Sequence, residues 1–377
     1  MTSTVSSVNI TGDIINEVNS ETNYTIPEYP ARPETYIIPV LFAIITFIGT
    51  LGNGSLIYFF CKYPQMRKVP NIYILSLSIG DLFVVLLAVP FQSIIYTYQS
   101  YPFGEVVCKI QNSISTLSIG VTVLTLTALS ADRYFAIVYP VNTRAGSKTR
   151  TVCCVAIIWI IAFLCALPDL IISHIQTVPG GSIAFCNPFT DSISNYKKIR
   201  TTFKCVIFFI VPLIVISVFY LLMAKHLIRA AGGLPGEAHC QINRRQQAED
   251  RRKVAKMVLF IVGVFFLCFL PINIYDMWFF YDPNSQENYN WFWHIFRMTG
   301  FCLSYINSCI NPIALYCISK TFRKYYNRHL FCCEREEPER TETLLRHISS
   351  CKNVNTVTMK TEQYDMSTFH GPDRTHV

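Results

Sequence analysis

Charge is scarce in this chain. Lys, Arg, Asp and Glu make up only 15% of its 377 residues, against roughly a quarter in an ordinary globular domain, so an aqueous surface of that size is poorly provided for. A positive mean hydropathy and 14% aromatic residues exclude a disordered, collagenous or coiled-coil chain. No apolar run precedes residue 36, so no cleavable signal peptide is read and the first apolar segment is expected to target the chain.

What is present is a series of apolar segments, each about long enough to cross a hydrocarbon layer ~30 Å thick as a helix. Seven are read, over residues 36–61, 71–98, 107–138, 149–172, 200–227, 254–280 and 291–318. The expected fold class is an all-α membrane protein, a seven-transmembrane helix bundle. Its parts are a tail over 1–35, the bundle over 36–318, a short amphipathic membrane-surface helix over 319–331 and a disordered regulatory tail over 332–377.

Lys and Arg concentrate on one side of such a bundle: Lys62, Arg67, Lys68, Arg144, Lys148, Arg150, Arg229, Arg244, Arg245, Arg251, Arg252 and Lys253, against mainly Arg32, Lys197 and Lys198 on the other. Basic loops favour the cytoplasm, so a plasma-membrane protein with its N-terminus outside and its C-terminus inside is expected. The net charge of +8 then faces anionic lipid and protein partners rather than nucleic acid. Sequons at Asn9 and Asn23 lie in the outer tail and are candidate glycosylation sites. Of 15 cysteines, Cys108 at the outer end of the third segment and Cys186 in the second outer loop share an oxidising compartment, and a disulfide between them is the natural pairing.

Short motifs recur on successive segments. They are Gly52-Asn53, Leu77-Ser78-Ile79-Gly80-Asp81, Asp132-Arg133-Tyr134, Trp159, Pro212 with Tyr220, Cys268-Phe269-Leu270-Pro271 and Asn311-Pro312-Ile313-Ala314-Leu315-Tyr316. In this order they resemble rhodopsin-like (class A) G-protein-coupled receptors. The runs 120–134 and 307–312 are similar to the bombesin and gastrin-releasing-peptide receptors, with the arthropod CCHamide receptors beside them. The resemblance implies a neuropeptide receptor that activates a heterotrimeric G protein, through the phospholipase C and calcium branch, with no chemistry of its own. A transporter needs paired intramembrane charges or a repeat, and an intramembrane enzyme needs an acid pair, metal ligands or an activated nucleophile; Asp81 is read as a lone acid, and none of these sets is found.

Asp81 is an acid near the middle of a membrane segment, where a bare charge is costly. It is either a protonated, hydrogen-bonded acid or, as the resemblance implies, the centre of an allosteric sodium site completed by Asn53, Thr122, Asn307, Ser308 and Asn311. No other cofactor or metal is implied. Asp132 beside Arg133 is either an ordinary ion pair or the restraint on an arginine that contacts the G protein when released. The position 20 residues before Pro271, an acid in many relatives, is Arg251 here, with Glu249 and Asp250 close by, which puts a direct lock in doubt. Pro271 should kink the sixth segment. Phe269 stands where relatives carry Trp; Phe265, with Pro212 and Val123, resembles the packing relay, and Tyr134, Tyr220, Asn311, Pro312 and Tyr316 complete the switch residues.

Ser115, 18 residues before Arg133, replaces the acid of amine receptors, and Tyr305 replaces the opsin lysine, so neither ligand class is expected. The acidic N-terminal tail and an aromatic rim that includes Tyr275, Trp278, Trp291 and Trp293 suit a cationic or amidated peptide, although the rim equally suits a membrane-interface belt. Ser115, Gln111, Tyr275, Trp278, Arg297 and Phe301 are the candidate ligand contacts, with Arg297 open to a ligand carbonyl or to Asp276.

On the inner side, Phe322, Tyr326 and Leu330 recur at helical spacing among Lys320, Arg323, Lys324 and Arg328, as in a helix lying on the bilayer. Cys332 and Cys333 follow as candidate palmitoylation sites. Hydroxyl residues of the last tail suit a receptor kinase and arrestin, and Thr375-His376-Val377 suits a PDZ partner.

Overall fold

In the computed structural model, residues 33–329 are described apart from 96–97, 99, 140–146, 178–183, 191, 194 and 232–237. The glycosylation, palmitoylation and PDZ expectations fall outside these residues. So does the side chain of Arg251, together with those of Glu249 and Asp250.

Helices dominate. The first span is α1 (Glu34–Lys62), the second α2 (Val69–Leu87) and α3 (Val89–Ile94), the third α4 (Gly104–Val138) and the fourth α5 (Lys148–Ile172). A hairpin of β1 (His174–Thr177) and β2 (Ala184–Asn187) follows. The fifth span comprises α6 (Tyr196–Cys205), a π-helical turn (Val206–Ile210) and α7 (Val211–Ala231). The sixth is α8 (Ala238–Tyr281) and the seventh α9 (Trp291–Ile318).

Six of these spans are long and apolar enough to cross a membrane. The seventh, 28 residues long, is diluted by His294, Arg297, Asn307, Ser308 and Asn311, of which the last three turn inward and are buried. Large apolar side chains cover the outside of the bundle, Phe47, Leu267 and Leu221 being exposed by 66%, 68% and 70%. Such a surface is stable only against lipid. The seven-helix class is as expected.

Four local departures have physical causes. The second span is not one helix to residue 98: it breaks at Ala88 (φ −122°) and re-forms with Pro90 in its first turn, because proline has no N–H to donate and its ring clashes with the carbonyl four residues back. The fifth span begins at Tyr196 rather than Arg200, and widens to the π turn just before Pro212, where the ladder also loses a donor. The sixth helix starts at Ala238, not Val254, since hydropathy marks only the membrane portion while Gln, Glu, Arg and Ala extend a helix beyond it. Finally, the segment between the fourth and fifth spans departs from an all-α chain: β1 and β2 pair antiparallel, with Ile175 opposite Cys186.

The first, second and seventh spans share a core of Ile38, Phe42, Ile45, Val84, Val85, Val89 and Met298. Close approach there depends on glycine. A Cβ on Gly52 would lie 2.8 Å from Pro312 Cγ, and one on Gly300 would lie 2.7 Å from the backbone nitrogen of Ile272. Small residues let membrane helices pack where apolar transfer supplies no driving force between them. Trp159 Nε1 donates to Ser76 Oγ at 3.0 Å, pinning the fourth span to the second.

A separate unit begins at Thr321. Its described part belongs to helix α10 (Lys320–His329), which sets Phe322 and Tyr326 one turn apart among Arg323, Lys324 and Arg328.

Candidate functional site

Three polar centres lie along the bundle. At the hairpin end, Cys108 in the first turns of α4 is disulfide-bonded to Cys186 in β2, the pairing read from the sequence. Tyr101 N donates to Ala184 O at 2.7 Å and Ala184 N donates to Ser100 Oγ at 2.9 Å, so hairpin and helix start are tied at more than one point. Tyr101 Oη donates to Gln111 Oε1 at 3.1 Å, and Ser115 Oγ donates to Gln111 O at 2.8 Å. Gln111 is buried, 2% exposed, with its side-chain oxygen paired to Tyr101.

Members of the aromatic rim pack on one another. Trp278 of the sixth span and Trp293 of the seventh stack with ring centroids 3.8 Å apart and planes 4° from parallel. Tyr275 stacks on Phe279 at 5.5 Å, and the group joins the ends of the two spans with Tyr289. The Arg297 guanidinium lies 5.9 Å from the Tyr275 ring centroid. Arg297 is also the first of three cations within electrostatic reach of Asp276, the others being Arg200 and Lys204. Phe301 packs on Phe42 of the first span and on Tyr305, at 5.6 and 5.2 Å.

Beside these candidates is a cluster that the sequence reading missed. Asp169, at the end of the fourth span, is 1% exposed. Arg200 Nη2 and Nε lie 2.7 and 2.8 Å from its Oδ1, Lys204 Nζ lies 3.0 Å from its Oδ2, and Thr116 Oγ1 also bonds Oδ2. Asp81 is thus not the lone acid of the bundle. The available signal was one acid and two cations inside segments already read as membrane spans; counting loop charges for topology passed over them.

The second centre is at mid-bundle. Asp81 is fully buried, and Asn311 Nδ2 donates to its Oδ2 at 2.7 Å. Asn53 Nδ2 donates to Gly49 O and Ser308 O at 3.0 and 2.9 Å. Among the described residues, Asp81 Oδ1 and Asn53 Oδ1 are buried oxygens without a hydrogen-bond partner. A narrow cavity of about 60 Å³ is lined by Thr122, Asn307 and Ser308 and also by Ser115, Phe269 and Tyr305. It brings together Thr122, Asn307 and Ser308 of the polar set expected around Asp81, the Phe269 that replaces Trp, and Ser115 and Tyr305, which stand for the absent acid and lysine.

From Phe269 the packing runs inward. Phe265, 1% exposed, lies 4.6 Å from it, and Phe266 contacts Phe209 of the π turn at 5.1 Å. Val123 and Pro212 are buried. The third centre is Arg133, paired with Asp132, the two side chains being 9% and 6% exposed. Arg133 Nε is buried without a partner among the described residues. Tyr220 hydrogen-bonds with Ser130 within electrostatic reach of Arg133. Tyr134 packs on Phe219 at 5.5 Å. The pair is therefore buried, unlike an exposed surface bridge.

The bundle thus carries a disulfide-anchored hairpin at one end, a buried acid at its centre and a paired arginine at the other. Residues 52–316 match the 7 transmembrane receptor (rhodopsin family), and the chain belongs to that family. It is 45% identical over 324 residues to the Neuropeptide CCHamide-1 receptor of Drosophila melanogaster, a match covering 84% of this chain and 64% of that protein.

Proposed function

We propose that this chain is a plasma-membrane receptor for a CCHamide-like neuropeptide, which enters at the hairpin end and activates a heterotrimeric G protein at the Arg133 end. The observation that carries this is the 45% identity to the CCHamide-1 receptor across 84% of the chain. The matched span contains both the disulfide end and the arginine end of the bundle. The hairpin end faces outside, a placement supported by the Lys and Arg asymmetry of the loops and by a disulfide, which persists in an oxidising compartment.

Ligand energy entering at the hairpin end acts on Phe269 through the cavity it shares with Ser115 and Tyr305. Movement of Phe269 reaches Phe265, and Pro271, which weakens the ladder of the sixth helix, gives that motion a hinge. Arg133 then exchanges Asp132 for the G protein, with Tyr220, Tyr316, Asn311 and Pro312 rearranging around it. Asp81, Asn53, Thr122, Asn307, Ser308 and Asn311 fit a sodium ion, since two of their buried oxygens lack partners and hard oxygen donors suit such a cation. Bound there, sodium supplies the charge that holds Asp81 ionised in the inactive arrangement. Coupling to phospholipase C, glycosylation at Asn9 and Asn23, palmitoylation at Cys332 and Cys333, phosphorylation of the tail for arrestin and a PDZ partner complete the proposal.

The test is intracellular calcium in cells expressing the chain, challenged with CCHamide-1 and a panel of other amidated and disulfide-cyclised neuropeptides. A rise with CCHamide-1 that is absent from untransfected cells is expected. Silence to CCHamide-1 at verified surface expression, in calcium and cyclic-AMP readouts alike, overturns the assignment.

A further inference from the structure

The Asp169 cluster has a charge imbalance. Among the described residues, the cluster brings together three cations, Arg200, Lys204 and Arg297, and two carboxylates, Asp169 and Asp276. Asp169 is sealed, with its side chain 2% exposed, while those of Arg200 and Lys204 above it are 14% and 28% exposed. The accessible side of the cluster is therefore its positive side.

The donors are not exhausted either. An ammonium has three N–H groups, and Lys204 directs two, at Thr116 Oγ1 (2.7 Å) and at Asp169 Oδ2 (3.0 Å). Arg200 turns Nε and Nη2 to the same Asp169 oxygen, and its guanidinium lies 5.0 Å from the ring centroid of Phe189, just beyond β2. A ligand that covers this exposed positive side leaves its charge uncompensated unless the ligand brings an anion, and a cationic group raises the cost.

We infer that the activating peptide carries a carboxylate and that Lys204, backed by Arg200, receives it. This rests on the peptide-receptor reading. It also departs from the cationic peptide suggested by the acidic N-terminal tail: the tail and the cluster select for opposite charge. The carboxylate belongs to an acidic side chain, because the proposed ligand ends in an amide; exchanging that amide for a free acid is the control.

The experiment measures binding of labelled CCHamide-1 to membranes carrying the full chain, Lys204→Gln or Thr116→Val, with surface expression checked for each. Two sets of analogues are compared: one changes acidic side chains to their amides, the other exchanges a C-terminal amide and carboxylate. Lys204→Gln is expected to weaken the parent peptide by about 30-fold or more. Thr116→Val, which keeps the charge, should have a far smaller effect. The analogue lacking the recognised carboxylate should bind the wild-type chain equally weakly and lose nothing further on Lys204→Gln, because the two changes remove one interaction. Losses that multiply, or analogues that all bind like the parent, overturn the inference.

If CCHamide-1 does not engage the wild-type chain, the peptide assignment has failed separately. The decision then passes to thermal melting of the purified full chain titrated with N-acetyl-glutamate or N-acetyl-glutamine at matched ionic strength. Stabilisation by the acid alone, abolished in Lys204→Gln, supports carboxylate recognition; equal melting in both overturns it.

Discussion

Asn311 Nδ2 donates to Asp81 Oδ2 across 2.7 Å, joining the second and seventh spans through a bond between residues 230 positions apart. The other carboxylate oxygen is buried and unpartnered among the described residues. One half of Asp81 is thus committed to the seventh span, and the other is where the proposed sodium ion would sit. Asp81→Asn should leave peptide binding insensitive to replacing choline chloride by sodium chloride, whereas sodium should lower agonist affinity in the wild-type chain. Equal sodium sensitivity in both chains would remove the ion from the account.

Arg133 is buried against Asp132. Arg133→Ala removes the group proposed to meet the G protein but touches nothing at the hairpin end. Surface peptide binding should persist and the calcium response should vanish. A normal calcium response in Arg133→Ala sinks this description of the inner end.

The Cys108–Cys186 bond fixes β2 to the start of the third span. Losing a native disulfide typically costs about 2–5 kcal/mol. Cys186→Ala should therefore lower the melting temperature of the purified chain and abolish high-affinity peptide binding, and mild reduction of the wild-type chain should reproduce the binding loss.

At Gly300, an added Cβ would meet the backbone nitrogen of Ile272 at 2.7 Å, and a backbone atom cannot swing aside. Gly300→Ala should force the sixth and seventh spans apart at a cost of about 1–3 kcal/mol, read as a lower melting temperature. Gly54→Ala, where nothing lies within 4 Å, is the matched control and should melt like the wild type.

Asp169 neutralises two cations at once. Asp169→Asn leaves both short of a carboxylate in the bundle, and breaking a buried pair in this way costs about 3–5 kcal/mol. Surface expression should fall sharply, and restoring part of the balance with Lys204→Gln in the same chain should recover it.

The amino-acid sequence by itself determined the seven spans, because a membrane segment needs only length and apolarity, both local properties. It also determined the disulfide, since only Cys108 and Cys186 were read together on the oxidising side. The single residues Asp81, Arg133 and Asn311 were legible through their motifs. What only the tertiary structure decided depends on partners distant in the chain. Trp278 and Trp293 read as a ligand rim or an interfacial belt, and that they stack on each other across two spans is visible only in the packed bundle. Gln111 reads as a candidate ligand contact, and that its side chain accepts from Tyr101 is likewise a tertiary fact. Asp169 went unread because hydropathy averages over a window, and a single acid at the end of an apolar run barely lowers the mean. Its meaning comes from Arg200, Lys204 and Thr116, contributed by two other spans. A buried charge is tolerated only beside its counter-charge, and which charges become neighbours is a property of the packed bundle, not of any segment within it.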